Sequence, residues 1–129
     1  EAPSEFTGLR ILLAEDDAVL RMLTQKSLAK KGAIVTAYEN GQLALDAYKE
    51  GEFDLIITDL MMPQLDGHGL VRSLRAQGCT LPIFAVTAAV VGDETDQILD
   101  DGANGFLSKP VHIPSLLDKL QAFHKGALA

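Results

Sequence analysis

Short apolar runs recur along the chain at intervals, and they predict buried strands. Runs of this length without polar alternation are typical of strands buried on both faces of a parallel sheet. One further run is β-branched and less hydrophobic, which favours an edge strand. The apolar runs are 9–14 (interrupted by Arg10), 55–57, 83–86 and 106–107, and the β-branched run is 33–37.

Segments with helical spacing of apolar residues lie between these runs. The first is predicted over 18–31, with Leu20, Leu23 and Leu28 facing inward, and it ends before Gly32, which permits a left-handed cap. The other helical segments are 43–48, 67–74, 91–102 and 116–123. A strand followed by a helix, five times over, predicts a doubly wound α/β fold with a parallel sheet covered on both faces.

The segment 91–102 is the weakest of the predicted helices. Only Val91, Ile98 and Leu99 form its inward set, and two aspartates at its C-terminal end oppose the helix macrodipole. Two interpretations stay open from the sequence. The helix is either the most labile of the fold or an ordinary surface helix with a narrow buried stripe.

Composition limits the class of protein. The 129 residues, with 47% hydrophobic content, suit one domain, predicted over 9–124, with tail or linker residues at 1–8 and 125–129. A net charge of −7 without a basic stripe argues against direct nucleic-acid binding. The single Cys79 and the lack of a long apolar run predict a cytosolic setting without membrane contact by this segment.

Polar side chains follow four of the predicted strands. Because the carboxyl ends of parallel strands meet at one edge of a sheet, where ligands bind, these side chains are expected to share a pocket. Clustered carboxylates repel unless a cation intervenes, and hard oxygen ligands suit Mg²⁺. A lysine and a hydroxyl opposite the metal would clamp a phosphoryl group in transfer. The side chains are Glu15, Asp16 and Asp17, then Asp59, Thr87 and Lys109.

Four motifs, in order, resemble the receiver domains of response regulators. They are ILLAEDD at 11–17 with Arg21 beyond it, DLMMP at 59–63 with Asp66-Gly67, VTA at 86–88, and KP at 109–110. The resemblance covers residues 9–124. It implies a flavodoxin-like (βα)5 fold, with a five-stranded parallel sheet in the order 2-1-3-4-5.

The resemblance also implies the chemistry of the site. Asp59 would accept a phosphoryl group from a histidine kinase or a histidine phosphotransfer domain. The cofactor would be Mg²⁺ or Mn²⁺, held by Glu15, Asp16, Asp59 and the backbone carbonyl of Met61. The domain would act as a signalling switch that assists its own phosphorylation, rather than as an enzyme that turns over.

Further residues would carry the phosphorylation signal, again by resemblance. Thr87, the backbone N–H of Ala88, and Lys109 would bind phosphoryl oxygens. Phe106 would be the switch aromatic that reshapes the surface of the fourth helix, fifth strand and fifth helix. The Lys109-Pro110 bond would be cis, an isomer that X-Pro bonds reach at low cost.

Other polar residues receive structural interpretations. Asp17 is predicted to cap the first helix, and Asp66 with Gly67 is predicted to form the turn and cap that open the third. The remaining candidates lack metal-ligand spacing. His68, His112 and His124 are therefore interpreted as surface or cap residues, and Cys79 as a spectator.

Two other functions place an aspartate or a ligand at the same edge of such a sheet. A phosphatase with an aspartate nucleophile would carry a second acid two residues beyond Asp59, where Met61 stands. A flavin or nucleotide binder would carry a Gly-rich loop after the first strand, where acids stand instead. The sequence is equally compatible with two parent proteins. One is a hybrid sensor histidine kinase with this segment in its cytosolic part, and the other is a single-domain regulator. The expected oligomeric state is a monomer or weak dimer.

Overall fold

The fold is that of a computed structural model, which describes residues 6–87, 93–109 and 111–124. Strands and helices alternate along it five times, as the sequence predicts. The strands are β1 (Arg10–Ala14), β2 (Ile34–Tyr38), β3 (Leu55–Asp59), β4 (Ile83–Thr87) and β5 (Gly105–Ser108). The helices are α1 (Ala18–Lys30), α2 (Gly41–Ala47), α3 (Gly67–Ala76), α4 (Asp93–Asp101) and α5 (Ile113–His124).

The sheet is parallel, with strands in the order β2-β1-β3-β4-β5. All five residues of β3 and of β4 are buried, because helices cover both faces of these central strands. By contrast, Ile34 of the edge strand β2 is exposed. The doubly wound fold, the strand order and the edge position of the second strand are thus confirmed. No helix among the described residues is both long enough and apolar enough to span a membrane.

Two apolar clusters, one on each side of the sheet, form the core. Leu12, Ile56 and Leu70 represent the first cluster, which includes residues of α2, α3 and α4. Leu28 and Leu116 belong to the second, which includes residues of α1 and α5. Burying both sheet faces holds the strand ends in place, and those ends carry the polar residues discussed below.

Residues 6–8 pack against the folded unit, although they precede Leu9, where the sequence predicts the domain to begin. Phe6 is 1% exposed and packs in the second core cluster with Leu28. The backbone N–H of Gly8 donates to the carbonyl of Gly32 at 2.9 Å. A lone aromatic in a polar segment shows no periodicity, and only the space between distant elements decides its burial. The tail residues 1–5 and 125–129 lie outside the described residues.

Two predicted inward-facing residues point to solvent. Leu23 of α1 is 51% exposed and Leu99 of α4 is 42% exposed, whereas Leu28 and Ile98 are fully buried as predicted. Both helices bury a narrower stripe than their apolar spacing indicates. Val91, the third predicted inward residue of the fourth helix, lies outside the described residues.

A polar cluster joins the C-terminal end of α4 to α3. The buried carboxylate of Asp101 lies 2.6 Å from Nδ1 of His68, and it accepts hydrogen bonds at 3.0 Å from Arg72 and Gln97. The interpretation of His68 as a surface or cap residue is therefore wrong. Asp101 does not merely oppose the macrodipole, because these partners offset its charge. The pair lies 33 positions apart, which local patterns do not reveal.

We expect Asp101→Asn to lower the free energy of unfolding by about 1–3 kcal/mol at neutral pH, since it weakens hydrogen bonds to a buried charge. Burial alone would raise the pKa of Asp101. The hydrogen bonds from His68, Gln97 and Arg72 lower it by more than burial raises it, so the pKa lies below its usual value of 3.8. A depressed carboxylate pKa stabilises the fold above 3.8, and this stabilisation disappears as pH falls through the folded-state pKa.

Urea unfolding at neutral and acidic pH measures this effect. The difference between wild type and Asp101→Asn should shrink in acid. Asp100→Asn is the matched control, because Asp100 is the exposed neighbour on the same helix. An equal loss in both variants would contradict the special role of Asp101.

Candidate functional site

The polar residues at the strand ends do meet at one edge of the sheet. A pocket there is lined by residues from the ends of β1, β3 and β4, from the start of α1, and from the loop after β5. The sequence therefore predicted this convergence correctly. The lining residues are Asp16, Asp17, Leu20, Asp59, Leu60, Met61, Thr87 and Lys109.

Three carboxylates lie close together in the site. Glu15 and Asp59 are buried at 5% and 4% exposure, whereas Asp16 is exposed. One ligand atom from each lies within 4.8 Å of the others. Burying carboxylates beside one another is costly unless a cation compensates them.

Lys109 supplies part of this compensation. Its Nζ lies 2.7 Å from Oδ2 of Asp59 and 3.2 Å from Oε1 of Glu15. Burial lowers the pKa of Lys109, but its bonds to Asp59 and Glu15 raise it more, so the pKa lies above its usual value. Lys109 is therefore a cation that bridges two of the three acids.

The surroundings of Glu15 raise its pKa. Burial is the largest cause of its shift, and the nearby Asp59 adds to it, so the pKa of Glu15 rises to about 7. The backbone N–H of Asp17 bonds Oε2 of Glu15 at 3.1 Å and opposes this rise. The site sets one ammonium, that of Lys109, against three carboxyl groups, so a further cation would be stabilised there.

The two cap predictions are confirmed. Asp17 accepts hydrogen bonds from the backbone N–H groups of Val19 and Leu20 at 2.9 and 3.0 Å, which caps α1. Asp66 accepts one from the N–H of Gly69 at 2.9 Å and caps α3. Asp17 lines the pocket, but its carboxylate is engaged by the N-terminal N–H groups of α1.

The backbone around Asp59 is held from two sides. Thr58, fully buried, donates its hydroxyl to the carbonyl of Asp59 at 2.9 Å. The N–H of Gly67 donates to the carbonyl of Leu60 at 2.8 Å, which closes the loop between β3 and α3. Sequence reasoning missed Thr58, although a hydroxyl in an otherwise apolar strand just before Asp59 was an available signal.

The predicted switch residues occupy different surroundings. Thr87 is buried at the end of β4, and its carbonyl accepts from the N–H of Lys109 at 3.0 Å. Phe106 is half-buried and is not among the residues that line the pocket. The ammonium of Lys119 on α5 lies 5.9 Å from the centre of its ring. Ala88 and Pro110 lie outside the described residues.

Met61, the histidines and Cys79 complete the predicted set. The side chain of Met61 is 67% exposed at the rim of the pocket, and because a thioether is a soft ligand, only the backbone carbonyl of Met61 suits a hard cation. His112 bonds Ser115 at the start of α5, as a cap residue would, and Cys79 is buried in the core. The side chain of His124 lies outside what the structure describes.

The donor set fits a hard divalent cation. Carboxylate oxygens are the ligands that Mg²⁺ and Mn²⁺ prefer, and the exposed Asp16 leaves solvent access for the waters that Mg²⁺ retains. The site could therefore hold Mg²⁺ between Glu15, Asp16 and Asp59.

The chain is similar to a known protein family over most of its length. The family model of the response regulator receiver domain matches residues 11–121. The response regulator MprA of Mycolicibacterium vanbaalenii is 37% identical over 114 residues, which cover 88% of this chain and 49% of MprA. The chain spans about half the length of the curated relatives it matches.

Solved structures show the same architecture. The receiver domain of the sensor histidine kinase PA1611 from Pseudomonas aeruginosa, with magnesium coordinated in its active-site cleft, is 32% identical with a TM-score of 0.80. That match covers 89% of this chain and 96% of the other. A chain from the co-crystal structure of Saccharomyces cerevisiae Ypd1, a histidine phosphotransfer protein, and the Ssk1 receiver domain is 26% identical with a TM-score of 0.82. There the coverage is 96% and 94%.

Proposed function

The chain belongs to the response regulator receiver family of two-component systems, and from this premise we propose that Asp59 is its phosphoacceptor. The observation that carries the proposal is the position of Asp59. It ends a central strand, lies 2.7 Å from Lys109, and shares the pocket with Glu15 and Asp16.

Phosphoryl transfer at this site follows from the arrangement of charges. An oxygen of Asp59 bonds the phosphorus as the bond from phosphorus to the donor histidine nitrogen breaks, and that nitrogen keeps the electron pair. Lys109 lies close enough to Asp59 to pair with a phosphoryl oxygen. Glu15, Asp16, Asp59 and the backbone carbonyl of Met61 would hold Mg²⁺, and the bound cation would supply neutralisation of the charge on the phosphoryl group.

The same contacts support a route for the signal. Thr87 and Lys109 bind phosphoryl oxygens with the N–H of Ala88, and the backbone bond between Thr87 and Lys109 makes their movements dependent on each other. Residue 87 precedes the segment that enters α4, and Phe106 pairs in register with Ala85 of β4. Phosphorylation then shifts the population of two shapes of the α4, β5 and α5 surface, with Phe106 as the switch aromatic.

The phosphodonor is a protein that carries phosphohistidine. Receiver domains pair with histidine kinases or histidine phosphotransfer proteins, as the Ypd1 and Ssk1 co-crystal illustrates for those two proteins. We place the donor here over the start of α1, because Asp17 and Leu20 form one wall of the pocket. The exposed apolar side chains of Val19, Met22 and Leu23 on α1 then offer it a contact surface.

The kind of protein that contains this receiver, a regulator or a sensor kinase, stays a prediction. Curated relatives about twice as long as this chain are response regulators, whereas the PA1611 receiver belongs to a sensor histidine kinase. A response regulator and a sensor histidine kinase thus both contain receivers similar to this chain.

Acetyl phosphate, a small phosphoryl donor, tests the proposal without a partner protein. With Mg²⁺ we expect intact-mass analysis to show the gain of one phosphoryl group. With excess EDTA we expect no gain, because the clustered acids would then repel the donor phosphate. Failure to gain the group with Mg²⁺ would contradict the proposal, and sustained release of inorganic phosphate would favour the phosphatase alternative.

A further inference from the structure

We propose that Arg21 is a positioning residue for the metal site. The acidic loop, defined as residues 15–17, would be held by the Arg21 guanidinium in the shape that turns Glu15 and Asp16 toward Asp59. The inference rests on the proposed function, since it concerns Mg²⁺ binding at the phosphoacceptor site.

Two successive carbonyls of the acidic loop converge on one guanidinium nitrogen. Nη1 of Arg21 donates to the carbonyl of Glu15 at 2.9 Å and lies 3.5 Å from that of Asp16. The carboxylates of the same two residues lie within 4.8 Å of the Asp59 carboxylate. The backbone of the loop therefore faces α1 while its acids meet β3.

Other contacts hold the two ends of the loop. The N–H of Glu15 donates to the carbonyl of Tyr38 at 3.0 Å, and the side chain of Asp17 caps α1. A hydrogen bond from a charged donor is roughly twice as strong as a neutral one. A cation at this point also offsets the mutual repulsion of three neighbouring acids, which would otherwise open the loop.

The same helix offers a matched control. Gln25 lies one turn beyond Arg21, and its Nε2 donates to the backbone carbonyl of Val35 in β2 at 3.1 Å. Both side chains tie α1 to a backbone carbonyl, but only Arg21 reaches the acidic loop. A purely structural role for Arg21 would make the two alanine variants behave alike.

Titration calorimetry with MgCl₂ tests the proposal in the whole chain. We expect Arg21→Ala to weaken Mg²⁺ affinity by about 10–100-fold, the usual effect of removing a group that orients metal ligands. Arg21→Lys should recover part of the affinity, and Gln25→Ala should bind as wild type does. At saturating Mg²⁺, phosphorylation of Arg21→Ala by acetyl phosphate should approach the wild-type rate.

Amide exchange in the metal-free protein provides a second readout. The N–H groups of the acidic loop should exchange faster in Arg21→Ala, while those of β4 and β5 stay protected and show that the fold is intact. Wild-type Mg²⁺ affinity and loop exchange in Arg21→Ala, or an equal loss of affinity in Gln25→Ala, would overturn the role of Arg21. Absence of Mg²⁺ binding by the wild type would instead overturn the proposed function together with this inference.

Discussion

Asp59→Asn is expected to abolish phosphorylation by acetyl phosphate in the presence of Mg²⁺, as judged by intact mass. The amide is neutral and a far poorer nucleophile than the carboxylate, and it removes one of the three acidic ligands that converge on the site. The side chains have nearly the same volume, and Lys109 keeps Glu15 as a partner at 3.2 Å. The variant should therefore fold, and its thermal unfolding checks that it does.

Asp17→Asn is the control for this experiment. Asp17 lines the same pocket, but its carboxylate caps α1, and asparagine caps helices about as well as aspartate. Phosphorylation of this variant should match that of the wild type. A phosphoryl group on Asp59→Asn, or its loss from Asp17→Asn, would refute the assignment of Asp59.

Gly67→Ala is expected to damage both stability and phosphorylation. A Cβ at Gly67 would lie 2.3 Å from the carbonyl oxygen of Asp59 and 2.8 Å from Cα of Leu60, and backbone atoms cannot rotate away as side chains do. We expect a loss of about 1–3 kcal/mol in the free energy of unfolding, typical of overpacking. Displacing Asp59 by about 1 Å would slow phosphorylation on the order of 10²-fold.

Gly51→Ala separates this crowding from a general cost of replacing glycine. Gly51 has φ +84 and nothing within 4 Å of its added Cβ, so its substitution costs about 1 kcal/mol of backbone strain alone. Urea unfolding and the acetyl phosphate reaction compare the two variants. Equal phosphorylation rates would show that the contact between Gly67 and Asp59 does not position Asp59 for the reaction.

Local patterns explain why much of the fold could be predicted from the sequence. β3 and β4 each begin with an unbroken apolar run, as strands buried on both faces do, so they were recognisable without their neighbours. Helix caps form within three or four residues, so Asp17 and Asp66 were assigned correctly. The parallel arrangement then required the residues that follow the strands to share one edge, which brought Asp59, Thr87 and Lys109 into a common pocket.

Long-range contacts explain what the sequence did not reveal. Phe6 is buried by elements far along the chain, and Leu23 is left in water although it lies on the predicted apolar face. The bond between His68 and Asp101 joins residues 33 positions apart. Burial and pairing of such residues depend on which surfaces meet after folding, and the periodicity of the sequence does not predict them.

The sequence by itself therefore determined the order of strands and helices and the residue types at the site, because short-range hydrophobic and capping patterns report them directly. Only the tertiary structure decided that Lys109 bridges Asp59 and Glu15, that burial raises the pKa of Glu15 to about 7, and that Arg21 holds the acidic loop. These properties depend on distances of a few ångströms between separate segments, and only packing of the whole chain sets such distances.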